Sequence, residues 1–520
     1  EWTLLAGMAE EVDGALRFTQ SQGWLLDRLV AGQPGVDVDA GFARMRTHLA
    51  QSDAFAPVDE PEGFVGELRP YQRVGVGWFS FLRAVGFGGC LADDMGLGKT
   101  VQVLALLQAR KREGASGPAL VVVPRSLLFN WQAEAKRFAP ELTVYEHIGP
   151  ERGEHMEELE NADLALTTYG VLRRDAVQLK DVHFDYVILD EAQAIKNART
   201  HGAKAARLLR ARHRLALTGT PVENHLGELW SLFEFLNPGM LGKARAFRDL
   251  VTTRGDTSLD ANGRALLGAA LRPFFLRRTK AEVLPDLPPK VEQTLWCEFG
   301  EEQRAAYDGQ LAHYRRAIRG GGTGRFQVLR ALLRLRQAAC HPALVESERR
   351  GEMSAKLEVL LPHLEELVQS GHKALVFSQF TSHLAVVRHH LELLGLSYAY
   401  LDGGTRDREA VVRQFREDPE CPLLLMSLKA GGLGLNLVEA DYVFLLDPWW
   451  NPAAETQAID RAHRIGRTRA VLAYRLIARD TVEEKVVELQ ERKRGLAEAV
   501  LGSGDASGSF SIDELEALFT

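Results

Sequence analysis

What this 520-residue chain lacks narrows its class first. No run approaches the roughly 20 consecutive apolar residues of a membrane-crossing helix, so no membrane partner is expected. Cysteine is scarce: Cys90, Cys297, Cys340 and Cys421 are scattered without C-x-x-C spacing. That pattern argues against a zinc site or a disulfide framework and suits a reducing, cytoplasmic compartment. An excess of one charge is missing too, since 63 basic residues face 70 acidic ones, a net of −7. Any nucleic-acid site must then be a local basic surface. Short fixed-period repeats and long low-complexity tracts are absent. The opening "EWTLLAGMAEEVDG" has no initiator Met, basic start or apolar signal core, and reads as part of something longer.

What is present is an alternation. "ALVVVP" (119–124), "ADLALTTY" (162–169), "FDYVILDEA" (184–192) and "RLALTGTP" (214–221) are short apolar runs between helical stretches. Buried parallel strands have this continuous Val/Leu/Ile composition because helices cover both faces of their sheet. The pattern lapses from about 225 to 350, where "GELWSLFEFLNPG" and "RFQVLRALLRLRQAACHP" carry helical spacing and "LPDLPPK" (284–290) is a stiff connector. It resumes in "KALVFSQF" (373–380), "LSYAYLDG" (396–403), "PLLLMSL" (422–428) and "DYVFLLDP" (441–448). The expected fold is α/β, with two parallel-sheet lobes and helical insertions between and beside them. The expected divisions are an accessory segment and linker (1–65), a first lobe (66–285, helical insertion about 225–275), a linker and helical protrusion (286–355), a second lobe (356–495) and a tail (496–520).

The stretch "CLADDMGLGKT" (90–100) ends like the phosphate-binding loop G-x-x-x-x-G-K-[ST], with Gly98, Lys99 and Thr100 in place and Asp93 where the first glycine belongs. It follows the strand-like "VGFGGCLAD" and precedes "TVQVLALLQARKR", a helix whose expected apolar face is Val101, Leu104, Leu106 and Leu107. Backbone N–H groups at a helix start point at phosphate oxygens. Asp94, Met95, Gly96, Leu97 and Gly98 would form the cradle, with Asp93 only relaxing its entry turn. Lys99 would reach the β and γ phosphates of ATP, and Thr100 would hold Mg²⁺. "YVILDEAQ" then sets Asp190 and Glu191 at the end of an apolar strand. A carboxylate there serves as a Mg²⁺ ligand, and its neighbour can orient or deprotonate the attacking water.

Such a lobe needs a cation on the far side of the γ-phosphate, and an arginine from another element contributes ~10³–10⁵ in rate. "ETQAIDRAHRIGR" (455–467) offers Arg461 and Arg464 at i, i+3, hence on one helical face, with Gln457 a turn earlier.

Taken with "LRPYQ" (68–72), "VVPRSLLFNW" (122–131), "TTYG" (167–170) and "LTGTP" (217–221), these motifs resemble the SWI/SNF-type, chromatin-remodeller-like ATPases of helicase superfamily two, in a prokaryotic version. The resemblance covers roughly residues 66 to 500. It implies two RecA-like lobes and makes Ala92-Asp93-Asp94-Met95-Gly96 the family's own form of the loop. It implies that Gln72 reads the adenine edge and that Thr218, Gly219 and Thr220 couple the γ-phosphate to the DNA track. The family motif Q-x-x-x-R-x-x-R makes Arg461 and Arg464 arginine fingers. Arg467 departs from the family's usual glutamine. In "MSLKAGGLGLNLVEADYVFLLDPWWNP" (426–452), Gly431, Gly432 and Gly434 allow a tight path, with Gly434 at the nucleotide. Trp449 and Trp450 look like inter-lobe packing.

Candidate duplex contacts by motif are Arg125, Ser126, Thr167 and Thr168 in the first lobe, with the basic cluster Arg277 and Arg278. The second lobe adds Gln379, Thr405, Ser427 and Lys429. Each alone reads equally well as a solvated polar face, and the reading rests on the set. The implied function is an ATP-dependent double-stranded DNA translocase that remodels or displaces DNA-bound proteins without separating strands, in the cytoplasm at the nucleoid. Alternatives are a remodelling factor whose partner is RNA polymerase, or the motor subunit of a defence system. For a nuclease, Pro285-Asp286 and Glu483-Glu484-Lys485 match the letters P-D…E-x-K but lie far apart.

Overall fold

The computed structural model describes residues 10–12, 15–17, 19–23, 26, 55–219, 226–242, 268, 270–319, 325–428, 435–449 and 452–488. The expectations placed on Thr220, Lys429, Gly431, Gly432, Gly434, Trp450, the side chain of Ser126 and the 496–520 tail lie outside these residues. The chain divides into two compact units between Pro285 and Asp286, inside the proline-rich connector.

The described part of the N-terminal segment contains a small antiparallel hairpin, β1 (Glu10–Val12) and β2 (Ala15–Arg17). In the first lobe the strands are β3 (Gly89–Leu91), β4 (Ala119–Val123), β5 (Val144–Glu146), β6 (Leu164–Thr168), β7 (His183–Asp190), β8 (Arg210–Leu217) and β9 (Phe275–Leu276). They form a sheet in the order β5-β6-β4-β7-β8-β3-β9, every pair parallel. Alternate residues of a strand face opposite sides, and both sides are covered. Val121, Val123, Ile188 and Leu215 enter one apolar cluster, while Leu120, Val122, Val187 and Ala216 enter another. That two-sided burial is why these strands read as unbroken apolar runs.

The helix after the phosphate loop, Lys99–Arg112, is buried nearly all round from Gln102 to Gln108, whereas Val101 is only half-buried. The expected one-sided face is corrected because the helix packs against both Pro70–Val85 and Leu128–Phe138 as well as the sheet core. The helix Leu226–Leu236, read as part of an insertion, places Phe233 in one core cluster and Phe235 in the other. It belongs to the body of the lobe.

The second lobe's strands are β10 (Lys290–Cys297), β11 (Ala374–Ser378), β12 (Tyr398–Leu401), β13 (Leu423–Ser427), β14 (Tyr442–Leu445) and β15 (Val471–Ala478), in the parallel order β10-β15-β14-β11-β13-β12. Residues 290–297, expected within a linker, pair along their whole length with β15, from Lys290↔Val471 to Cys297↔Ala478. As an edge strand β10 keeps Val291 and Trp296 exposed, so no continuous apolar run announces it. Helices Glu301–Arg319 and Arg325–Cys340 pack together around Tyr307, Val328 and Leu335.

Candidate nucleotide site

The phosphate loop leaves the end of β3 and is held by its neighbours at almost every residue. Ala92 N–H donates to the Leu276 carbonyl (2.7 Å) and Asp94 N–H to the Arg278 carbonyl (3.0 Å). Asp93 is fully buried. Its carboxylate accepts Arg278 Nε at 2.9 Å and a second guanidinium nitrogen of the same arginine. A buried carboxylate is sustained only by a hydrogen-bonded partner, so Asp93 anchors the loop where it was expected merely to relax a turn. Arg278, expected on the DNA track, is turned inward. It also donates to Gln102 Oε1 (2.8 Å) and the Tyr71 carbonyl, and sits 5.1 Å from the Tyr71 ring centre.

The side chains of Met95 and Leu97 are buried. A Cβ on Gly219 would come within 2.9 Å of Met95 Cγ, so the loop and the "LTGTP" segment meet closely. Gly98 has φ +75°, and a Cβ there would lie 2.5 Å from Gln72 Nε2. Only glycine meets both conditions at low cost. The helix opens at Lys99, leaving its first N–H groups without intrahelical acceptors. Lys99 Nζ donates to the Asp93 carbonyl at 2.6 Å and the Asp94 carbonyl at 3.3 Å, and Thr100 is half-buried on the first turn. Gln72, expected at the adenine edge, is buried and bonded within the lobe: Oε1 accepts Arg69 N–H (2.9 Å) and Nε2 donates to the Leu97 carbonyl (3.1 Å). Its amide keeps one further donor and acceptor position.

β7 delivers the acid pair. Asp190 Oδ2 accepts Trp131 Nε1 (2.9 Å), and Oδ1 accepts Glu191 N–H (2.9 Å). Burial, joined by the Glu191 charge, pushes the Asp190 carboxyl up to about 7 against the opposing pull of Trp131 and Lys99. Glu191 occupies left-handed backbone at φ +50°, which costs a non-glycine residue ~1–2 kcal/mol. Its Oε2 accepts Gln193 Nε2 (2.8 Å), and Gln193 Oε1 accepts the Thr218 hydroxyl (3.1 Å). A chain of side chains therefore joins "DEAQ" to "LTGTP" inside this lobe. Sequence reasoning passed over Trp131 and Tyr169, whose hydroxyl donates to the Asp190 carbonyl at 2.8 Å. The available signal was chemical: an indole N–H in an apolar helix needs a buried acceptor.

In the second lobe the helix Pro452–Ile459 stops before the two arginines. Arg461 and Arg464 lie in the following turn and not on one helical face. Arg461 is buried, while Arg464 is half-buried with Nε donating to the Asp460 carbonyl (3.2 Å). Gln457 is half-buried on the helix. Arg467 is an internal strut, with bonds to the Val438, Ala440 and Ala470 carbonyls (2.7, 2.6 and 2.9 Å) and to Asp441 (2.8 Å). Among the described residues, Cys340, His383 and Asp447 bring potential metal donors within 4.8 Å of one another. The Lys356 ammonium stands 4.0 Å from Cys340 Sγ and is bound to Glu483 (2.6 Å), while Asp447 accepts Ser378 Oγ (2.5 Å) and Gln379 N–H (3.1 Å). Charge there is compensated within the protein. Glu483, one letter of the nuclease pattern, is thus a core ion-pair partner.

The remaining duplex candidates divide by exposure. Arg125 and Arg277 are exposed. Thr167 is buried and donates to the His147 carbonyl (2.9 Å), and Thr168 caps the helix Tyr169–Leu179. Thr405 bonds Asp402, Gln379 lies at Asp447 and Pro448, and Ser427 is buried. The hydroxyl proton of Thr167 is spent inside the lobe, which corrects its reading as a phosphate grip, while Thr168 Oγ1 acts as an acceptor for Val171 N–H (3.3 Å).

A phosphate loop and an acid pair at the strand ends of one parallel sheet, with a second parallel-sheet unit after it, define the class as a helicase-like ATPase core. Residues 71–344 match the SNF2-related domain, and residues 355–466 match the helicase conserved C-terminal domain. The chain belongs to the SNF2-related family. It is similar to a putative ATP-dependent helicase/translocase, YwqA, of Bacillus subtilis, at 40% identity over 473 residues covering 88% of this chain and 51% of that protein. It is 34% identical over 533 residues to the TATA-binding protein-associated factor MOT1 of Saccharomyces cerevisiae, covering 88% and 28%. Among solved structures, the Sulfolobus solfataricus SWI2/SNF2 ATPase core in complex with dsDNA is 37% identical, with a TM-score of 0.45, covering 86% of this chain and 95% of that one. The chain spans about half, or less, of the length of these curated relatives.

Proposed function

We propose that this chain hydrolyses ATP when bound to duplex DNA and uses the energy to move along the duplex without separating its strands, displacing bound proteins. The observation that carries the reading is the first-lobe constellation: Lys99 and Thr100 at a helix start, Asp190 and Glu191 at the end of β7, and the Glu191–Gln193–Thr218 chain. The donor set fits a magnesium triphosphate, since it offers an ammonium, a hydroxyl and a carboxylate around the first turn of a helix. Lys99 would hold the phosphates, and Thr100 and Asp190 the Mg²⁺. That ion would supply charge neutralisation for the departing phosphate oxygens. Glu191 would orient and deprotonate the attacking water, its carboxylate held by Gln193. Arg461 and Arg464 are proposed as arginine fingers, and Gly434 and Gln457 as nucleotide contacts. Arg125, Arg277, Gln379, Thr405 and Lys429 are proposed along the duplex phosphates.

The yeast relative's name, a TATA-binding protein-associated factor, favours a DNA-bound transcription protein as the displaced object. The decisive assay measures ATP turnover with duplex, single-stranded DNA or RNA, coupled to displacement of a triplex-forming strand. Duplex-stimulated turnover with triplex displacement is expected. Stimulation by RNA alone, or unwinding of the duplex, would reject the reading.

A further inference from the structure

The fully buried Asp93 performs two tasks at once. Its carboxylate is gripped by Arg278, and its carbonyl accepts the Lys99 ammonium. Any shift of Asp93 therefore moves the acceptor that positions Lys99. Arg278 reaches three further points of the same frame: Gln102 on the helix that follows the loop, the Tyr71 carbonyl and the Tyr71 ring. Tyr71 in turn donates its hydroxyl to the Leu97 carbonyl (2.9 Å) at the other end of the loop. Gly75 leaves the space this network occupies. A Cβ there would stand 2.0 Å from Gln102 Oε1 and 3.1 Å from an Arg278 nitrogen.

Resting on the reading of residues 94–100 as the triphosphate cradle, we infer that Arg278 is a positioning residue for that cradle, acting through Asp93, and not a contact to the DNA track. The chemistry calls for arginine. A planar fork can engage both carboxylate oxygens and still donate to Gln102 and Tyr71, whereas a lysine supplies charge with one point of attachment. The structure also accounts for the acid at the loop's first position, since a glycine there would leave the partly buried guanidinium unmatched.

The test compares wild type with Arg278→Gln, Arg278→Lys, Asp93→Asn and the double variant Asp93→Asn/Arg278→Gln. It measures binding of a fluorescent ATP analogue, KM for ATP, kcat, duplex affinity and thermal midpoint. Expected are nucleotide binding and KM worsened about ten- to hundredfold in both neutral single variants, as small misplacements of a binding frame produce. Partial recovery in Arg278→Lys, unchanged duplex affinity, and a double variant no worse than its worse parent are also expected, because the two residues act as one unit. If a single variant fails to fold, the double variant, which strands no buried charge, gives the answer alone. Lost duplex affinity with intact nucleotide binding would overturn the inference, as would wild-type nucleotide binding in the double variant. A wild-type chain that bound no nucleotide would instead sink the proposed function, and that result is read before any variant.

Discussion

The two lobes share a parallel sheet and nearly identical strand chemistry, yet they use buried charge differently. In the first lobe two buried acids, Asp93 and Asp190, lie at strand ends around the phosphate loop, each oriented by a donor from another element, Arg278 or Trp131, while Asp185 with Arg110 and Asp175 with Arg152 form internal ion pairs. In the second lobe Lys356 with Glu483, Arg467 with Asp441, and Arg475 with Glu455 stitch strands, helices and turns to one another. Burial and charge alone thus fail to mark a site. What separates the cases is whether the groups surround the start of a helix that follows a glycine-rich loop, as at Lys99.

Breaking the contrast is simplest where it is largest. Glu191→Gln should lower kcat about 10²–10⁴-fold, the usual contribution of a general base, while ATP binding and second-lobe stability stay as in wild type. Steady-state turnover beside nucleotide titration checks this, and wild-type turnover would remove Glu191 from the mechanism. The mirror experiment is Glu483→Gln, which strands the Lys356 ammonium in the core. The second lobe should lose about 3–5 kcal/mol, read by lobe-resolved hydrogen exchange, with first-lobe protection unchanged. Equal loss in both lobes would erase the distinction.

A finer probe is Trp131→Phe, which keeps an apolar ring but deletes the N–H to Asp190. A stability loss of about 0.5–1.5 kcal/mol is expected for one hydrogen bond. A fall in kcat at saturating Mg²⁺ should accompany it if the indole orients the carboxylate. Stability loss with unaltered kcat would reduce Trp131 to a strut like those of the second lobe.

The smallest effect concerns acid. Burial holds His213 of the first lobe down at about 4, and holds His383 of the second well below the usual imidazole range. A histidine kept neutral by the fold contributes stability that is complete above its unfolded value of about 6.5 and fades as pH falls toward the folded value. The His213 contribution should be lost by about pH 4, whereas the His383 contribution continues to fall below it. Unfolding measured against pH, with His213→Gln and His383→Leu flattening their own limbs, checks the order.

Much of this was legible before any coordinates. The interior strands β4, β7, β11 and β13 were readable because burial on both faces leaves a continuous apolar run in each, such as Val187–Leu189 in β7. The placement of Lys99 and Thr100 at a helix start and of Asp190 at a strand end followed by Glu191 was readable because the flanking apolar strand and helix patterns are local. Edge strand β10 was hidden, since one open face breaks the apolar run with Glu292, Gln293 and Thr294. The helical face assigned to Arg461 and Arg464 failed because the helix stops at Ile459, and i, i+3 spacing implies a shared face only while the helix lasts.

By itself the sequence determined the fold class, the order of the lobes and the strand–loop–helix setting of Gly98, Lys99 and Thr100, because each is set by local pattern: strand periodicity, turn glycines, and a lysine at a helix start. Only the tertiary structure decided the partners. That Arg278 grips Asp93 across 185 residues, that Trp131 holds Asp190 and that Arg467 is a strut are facts of long-range packing. A side chain's charge states what it needs, but the fold chooses which distant group meets that need.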